Sequence, residues 1–212
     1  MSSEAEAQSG GRLAQIRDMP WKLSNEFRRL LTLPWIRLRF GLAGVRWQPG
    51  WRIHGMPILQ RHRRSRLEMG PHAELRSFAA SNPLSPNHAV VLSTRRAGAV
   101  LRIGSGFGMT GGCIVADKEI LIGDRVMVGA NSMISDTDFH PLDPALRRSH
   151  PTAGASAPIH IGDDVFIGAR CSVLKGVSIG TGTVVGAGSV VSQSLPAGVV
   201  AAGNPAKVLR RL

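Results

Sequence analysis

The chain has 212 residues and a net charge of +12, with 25 glycines, six phenylalanines, four tryptophans and no tyrosine. Residues 1–66 contain 13 Lys and Arg against four Asp and Glu, so most of the excess charge lies in the first third. That third lacks a helix-turn-helix pattern, zinc ligands and an RNA-binding aromatic motif, so nucleic acid is not expected as a partner.

One basic helix is predicted in the N-terminal segment, residues 18–50. Asp18 can cap it and Pro20 suits its first turn. Apolar side chains then follow at helical spacing, namely Leu23, Phe27, Leu30 and Leu31. Pro34 is expected to end the helix, and the alternation over residues 36–40 predicts a strand. The helix either packs on the rest of the protein or a neighbouring subunit, or it attaches to an anionic membrane surface.

A six-residue repeat dominates the rest of the chain. From Ile161 to Ser192 a branched aliphatic residue returns at every sixth position, usually before glycine, and the same frame runs from Ile122 to Ile134. Six fits neither the helical period of 3.6 nor the strand period of two. We therefore expect short strands and bends, three to a coil, that stack as a parallel β-helix over residues 51–200. The flanking segments are predicted to be a disordered N terminus and a short basic C-terminal cap, residues 1–17 and 201–212.

The repeat has one large interruption, which begins at position 140. The frame requires an aliphatic residue there, but His140 is followed by Pro141 and a loop over residues 141–158. Long loops in compact domains are commonly functional, and histidine is well matched to accept a proton near neutral pH. Asp136 and Asp138 are close enough in sequence to orient its ring. The alternative is a polar residue that ends a coil and faces solvent.

Three stretches carry a resemblance to a known family, residues 122–142, 159–168 and 185–207. The chain resembles the hexapeptide-repeat acyltransferases with a left-handed β-helix. The similar branch contains galactoside, maltose and nodulation-factor O-acetyltransferases and bacterial polysaccharide acetyltransferases. The resemblance implies a homotrimer with active sites between subunits, and acetyl-CoA as the donor for a hydroxyl of a sugar or polysaccharide precursor. It also implies His140 as the general base and no metal.

The same resemblance assigns the cofactor-binding residues by their positions in the family motifs. The implied pantetheine channel and phosphate contacts are Ala169, Ala187, Ser192, Lys207 and Arg210. One departure concerns the acceptor, because the asparagine that holds the sugar in galactoside-type enzymes corresponds here to Gly111. A galactoside substrate is therefore not implied, and Asn131 is a candidate on the acceptor side whose role is open.

Other interpretations predict different behaviour. A non-catalytic trimeric scaffold would bind no CoA, and serine acetylation is disfavoured because a long N-terminal helical domain is lacking. A zinc enzyme of the γ-carbonic anhydrase type would need three histidine ligands, for which His140, His150 and His160 are available. No secretory signal or apolar run of ~18 residues is present, which predicts a cytoplasmic protein, with contact at the inner face of the membrane as an option.

Overall fold

The computed structural model describes residues 18–212, so the predicted disordered segment 1–17 lies outside the described residues. Three parallel sheets form the body, and each coil passes through sheets A, B and C in turn. Sheet A contains β1 (Arg52–His54), β4 (Glu74–Arg76), β7 (Gly108–Thr110), β10 (Met127–Val128), β13 (Phe166–Ile167), β16 (Val184–Val185), β18 (Val199–Gly203) and β19 (Ala206–Arg211). Sheet B contains β2 (Ile58–Arg61), β5 (Val91–Thr94), β8 (Cys113–Ala116), β11 (Met133–Ser135), β14 (Ser172–Val173) and β17 (Val190–Val191). Sheet C contains β3 (Arg66–Met69), β6 (Val100–Ile103), β9 (Glu119–Ile122), β12 (Ile159–Ile161) and β15 (Ser178–Ile179).

The six-residue repeat corresponds to one side of this coil. In sheet B, Ile134 pairs with Val173 and Val173 with Val191, and all three side chains are fully buried. Each branched aliphatic therefore packs on its counterparts one coil above and below, and the stack forms a continuous apolar interior. The predicted fold class, an all-β parallel β-helix with an N-terminal helix, is confirmed.

The chain closes with a hairpin. Strand β18 pairs in parallel with β16 and antiparallel with β19, so β19 lies at the edge of sheet A. Only one residue of β19, Ala206, is buried, and the rest of the strand is exposed. The basic C-terminal residues therefore project their side chains from this edge.

Three predictions for the N-terminal segment are wrong: the cap at Asp18, the helix end at Pro34 and the strand over residues 36–40. A single helix, α1 (Pro20–Leu42), continues through Pro34, so residues 36–40 form no strand. Pro20 does occupy the first turn, but Met19 rather than Asp18 is the N-cap. A helix brings Ile36 and Phe40, four residues apart, onto one face, and both are fully buried against the body. The free energy gained by burying these two side chains is larger than the free energy lost with the backbone hydrogen bond that Pro34 cannot donate, so the helix continues.

The connections between sheets define the places where side chains can gather. We call the connection from a sheet A strand to the next sheet B strand the AB corner, and the connection from sheet B to sheet C the BC corner. Residues 77–90 leave the coil at the AB corner between β4 and β5 and include a 3₁₀ turn, Ala79–Ser81. Residues 136–158 leave it at the BC corner between β11 and β12 and include the short helix α2 (Pro144–Ser149). None of the helices in residues 18–212 is long and apolar enough to span a bilayer.

Candidate functional site

His140 lies at the BC corner, exposed to solvent, at the start of the interruption that its sequence position predicts. Its ring nitrogen Nδ1 is 2.5 Å from the carbonyl oxygen of Pro151, on the returning side of the same loop. A carbonyl can only accept a hydrogen bond, so Nδ1 must carry the proton in the neutral ring. The other nitrogen, Nε2, is then the basic one. The loop therefore fixes the tautomer that a general base requires.

The preceding coils hold this loop through two arginines that sequence reasoning missed. Asp117 has a fully buried side chain, and its carboxylate is 2.9 Å from Arg96 Nε and 3.5 Å from Arg95 Nε. Arg96 also donates to the carbonyl of Thr152 at 2.7 Å, next to Pro151. Arg95 lies over the ring of Phe139, 4.8 Å from its centroid. We call Arg95, Arg96 and Asp117 the arginine bracket, because they contact the loop on both sides of the His140–Pro151 hydrogen bond.

The two acidic residues predicted to orient His140 have other partners. Asp136 is fully buried, and its carboxylate accepts three backbone N–H groups at 2.7 Å, from Asp117, Lys118 and Glu119. Burial raises the pKa of Asp136, and the three donors oppose that shift. Asp138 lies 2.9 Å from Lys175 Nζ in the next coil. The group that orients the imidazole is therefore the Pro151 carbonyl, while the carboxylates tie neighbouring coils together.

The structure separates Asn131 from His140. Asn131 lies at the AB corner with φ +62°, and β11 separates it from the BC corner. Its side-chain oxygen accepts the N–H of Asn87 at 3.0 Å and so holds the loop of residues 77–90. Gly111 lies beside it with φ +55°, and a Cβ there would meet Pro86 Cβ at 2.6 Å. No side chain at position 111 fits unless this loop moves.

The predicted cofactor residues occupy three places in the chain. Ala169 and Ala187 stack at the AB corner, where Gly188 N donates to Ala169 O at 2.8 Å. Ser192 follows β17 at the BC corner, two coils after His140. Lys207 and Arg210 are exposed on β19. A single subunit therefore does not bring these residues together around His140.

One groove on the outer face of sheet A reaches one of the predicted cofactor residues, Ala169. Its volume is about 460 Å³. Ala169, Met127 and Phe166 line one part, and Asn82 and Leu84 of the loop over residues 77–90 line another. This groove offers apolar walls next to a small residue.

Within residues 18–212, no cluster of three or more His, Cys, Asp or Glu side chains could hold a metal ion. His150 contacts Ser149, and His160 lies 3.3 Å from Glu119, so the three candidate zinc ligands have separate partners. The cysteines are not activated nucleophiles either. Burial raises the pKa of the thiols of Cys113 and Cys171, which keeps both protonated near neutral pH.

The residues around the His140 loop that the sequence analysis did not name share one feature in the sequence. Arg95, Asp117 and Lys175 all follow the end of a sheet B strand, as His140 does, and therefore recur at the same corner of successive coils. Aligning the polar residues that follow each B strand would have grouped them before the structure was known. The carbonyl of Pro151 had no such signal, because its position depends on the path of the loop.

Comparison with known proteins adds sequence relatives. The model for the hexapeptide repeat of succinyl-transferase matches residues 119–135 and 158–193. Galactoside O-acetyltransferases from Escherichia coli (strain K12) and Lactococcus lactis subsp. lactis (strain IL1403) are each 41% identical over 99 residues, or 47% of this chain. Those alignments cover 47% and 46% of the two relatives, so the chain spans about half the length of the proteins it matches.

A solved structure extends the likeness over more of the chain. A variant of AntD, an N-acyltransferase from Bacillus cereus in complex with dTDP and coenzyme A, has a TM-score of 0.57 and 16% identity. The match covers 79% of this chain and 83% of that one. At this identity the likeness concerns the fold alone. The three parallel sheets of repeating strands are consistent with the left-handed form of the β-helix.

Proposed function

We propose that the chain is a hexapeptide-repeat acetyltransferase and acts as an acetyl-CoA-dependent O-acetyltransferase, since the repeat model matches residues 119–135 and 158–193 and two galactoside O-acetyltransferases are 41% identical over 99 residues. The proposed acceptor is a hydroxyl of a sugar or of a polysaccharide precursor. The galactoside O-acetyltransferases among its relatives support the type of reaction. Acetyl-CoA as the donor agrees with the proposed cytoplasmic location.

The observation that carries the proposal is the contact between His140 Nδ1 and the Pro151 carbonyl. It leaves Nε2 unprotonated, so Nε2 can remove the proton of the acceptor hydroxyl as the oxygen attacks the thioester carbon. The tetrahedral intermediate then collapses, the carbon–sulfur bond breaks, and the imidazolium returns the proton to the CoA thiolate. The products are the acetyl ester and free CoA. A general base of this kind contributes ~10²–10⁴ in rate.

The cofactor would lie against Ala169, Ala187 and Ser192, whose small side chains leave room for the pantetheine arm. Lys207 and Arg210 are exposed cations that suit the phosphates of CoA. In one chain these positions are spread over two corners and the C-terminal hairpin. A site that uses them together with His140 therefore requires a second subunit, which supports the proposed homotrimer.

The acceptor differs from that of the galactoside-type enzymes. Where those enzymes have an asparagine, Gly111 leaves no space for a side chain, because Pro86 of the loop over residues 77–90 fills it. We propose that this loop, instead of a single amide, forms part of the acceptor side. Asn131 then contributes by holding the loop at Asn87.

The test has two steps. First, thermal unfolding is followed against increasing acetyl-CoA with EDTA present. Saturation at a hundred times the dissociation constant adds ~2.7 kcal/mol to stability. No shift in a folded protein would argue for a scaffold. Second, release of the CoA thiol is measured with a panel of sugars and oligosaccharides.

His140→Ala should retain acetyl-CoA binding and lose ~10²–10⁴ in turnover. His160→Ala is the matched control, because His160 is an exposed histidine on the outer face of β12. Its turnover should stay at the wild-type value. Equal turnover in His140→Ala and the wild-type enzyme would exclude His140 as the base.

A further inference from the structure

Helix α1 has two apolar faces, of which the body covers only one. The inward face contains Ile36 and Phe40, and Phe40 packs on Trp51 with a centroid distance of 5.1 Å. Asn25 anchors the same side by donating to the carbonyl of Ala80 at 2.7 Å. These contacts fix the rotation of the helix about its axis, so the direction of the second face is also fixed.

The second, outward face is large and exposed. At 100° per residue its members fall on one continuous arc opposite Ile36 and Phe40. They are Leu23 (56% exposed), Phe27 (61%), Leu30 (52%), Leu31 (59%), Trp35 (66%), Leu38 (52%) and Leu42 (81%). An apolar surface that extends along most of a helix about 34 Å long is uncommon on a monomer and marks an interaction site.

The charges around this face select its partner. Arg28 and Arg39 lie on the edge of the arc, next to Trp35, and both are exposed. The only acidic residue of α1 is Glu26, which lies on the other side of the helix and pairs with Arg29 at 2.5 Å and Arg52 at 3.4 Å. The outward face therefore combines apolar side chains with positive charge and contains no negative charge.

We propose that the outward face of α1 docks onto an anionic membrane surface, with the helix lying in the plane of the interface. Apolar side chains enter the boundary between headgroups and acyl chains, and the flanking arginines contact anionic headgroups. A tryptophan such as Trp35 suits that depth because its ring is apolar and its N–H is polar. The proposal does not depend on the proposed enzymatic activity.

Two other occupants fit less well. A second copy that docked through the same face would bring Arg28 and Arg39 against an equally positive surface, without the acidic groups that such a contact needs. The 17 residues that precede the described structure contain few large apolar side chains, namely Met1, Leu13 and Ile16. Neither matches the area and charge of the outward face as an anionic bilayer does.

Flotation with vesicles tests the proposal on the full chain. Vesicles of phosphatidylcholine with phosphatidylglycerol should bind the protein and shift its tryptophan emission to the blue, and phosphatidylcholine alone should bind it far less. Replacing Leu31, Trp35 and Leu38 together with glutamine should weaken partitioning more than ~100-fold. Arg28→Gln and Arg39→Gln should each weaken it ~5-fold and reduce its dependence on salt.

The matched control replaces Leu209 and Leu212, exposed leucines of the C-terminal hairpin, with glutamine. This variant should bind the anionic vesicles as the wild type does. Absence of binding to anionic vesicles would overturn the proposal, and so would equal binding to both vesicle types. Sedimentation in solution gives the remaining criterion. If the triple variant dissociates into smaller oligomers or monomers than the wild type but still binds vesicles, the outward face is a contact between subunits. The proposal is then wrong.

Discussion

The AB and BC corners both carry the chain from one sheet to the next, but they are built differently. At the AB corner backbone packs directly on backbone. A Cβ on Gly129 would lie 2.4 Å from Ala169 N, and one on Gly168 would lie 2.5 Å from Ala187 N. The same close approach occurs in these two successive coils, so each of the two positions requires glycine.

At the BC corner, charged side chains connect the coils. Asp117 pairs with both arginines of the preceding coil, Asp136 accepts three backbone N–H groups, and Asp138 pairs with Lys175. These contacts link four successive coils, those of β5, β8, β11 and β14, and the coil of β11 leads into the loop that contains His140. The AB corner therefore depends on close backbone packing, whereas the BC corner depends on charged side chains, which hold the loop that contains His140.

The largest stability effect should come from Asp136→Ala at the BC corner. Removal of the carboxylate leaves three backbone donors without their acceptor in a buried place, so the free energy of unfolding should fall by about 3–5 kcal/mol. Urea denaturation measures this change. The matched control is Asp163→Ala, because Asp163 accepts a single backbone N–H, from Asp124, at an exposed position. It should cost about 1 kcal/mol. Equal losses would show that Asp136 has no special structural role.

The next effect tests the AB corner by adding one methyl group. In Gly168→Ala the new Cβ would meet Ala187 N at 2.5 Å and Val185 O at 2.9 Å, both backbone atoms. The coils must separate locally, and we expect a loss of about 2–3 kcal/mol in thermal or urea unfolding. Gly108→Ala is the control, because no atom lies within 4 Å of a Cβ there. If both substitutions cost the same, close backbone packing does not explain the glycine.

The sequence predicted the coils of the β-helix better than it predicted the N-terminal helix. The spacing from Ile161 to Ser192 predicted the parallel coils, because each aliphatic must be buried against its neighbours. The helix boundary at Pro34 failed for a tertiary reason. Local rules place a break at proline, but burial of Ile36 and Phe40 on one face favours continuing the helix.

The sequence placed His140 at an interruption of the repeat, and it lies in that loop because a polar side chain cannot enter the apolar interior. Its role as the general base stays a prediction. The roles of Asp136 and Asp138 were wrong as orienting groups, because proximity in sequence does not determine which way a side chain points. The partner of the ring is a carbonyl 11 residues further on, which only the folded loop brings near.

A third prediction concerns the arginine bracket. Arg96→Ala removes the contact with Thr152, so the loop should hold the His140–Pro151 hydrogen bond less often. We expect kcat to fall about 10-fold with the KM for acetyl-CoA unchanged, since a productive orientation is lost without loss of binding. Arg96→Lys should restore only part of the rate, because lysine lacks the guanidinium fork that spans Asp117 and the carbonyl.

The matched control for the bracket is Arg102→Ala. Arg102 is an exposed arginine on sheet C that pairs with Glu68 at 3.2 Å, away from the loop. Its kcat should equal that of the wild type. A rise in KM with constant kcat in Arg96→Ala would instead assign Arg96 to substrate binding.

The smallest effect is expected where α1 meets the first coil, away from both corners. The hydrogen bond from Arg29 is the main cause that lowers the pKa of Glu26 below its usual value of 4.5, and Arg52 adds to it. A lowered pKa in the folded state means that the pair stabilises the protein above the unfolded pKa and that this contribution is lost as pH falls through the folded value. The pair is partly exposed, so its contribution should be below about 1 kcal/mol. Unfolding temperatures measured from pH 7 down to below pH 4.5 should therefore fall slightly less for Glu26→Gln than for the wild type. Parallel curves for the two proteins would show that this ion pair does not stabilise the docked helix.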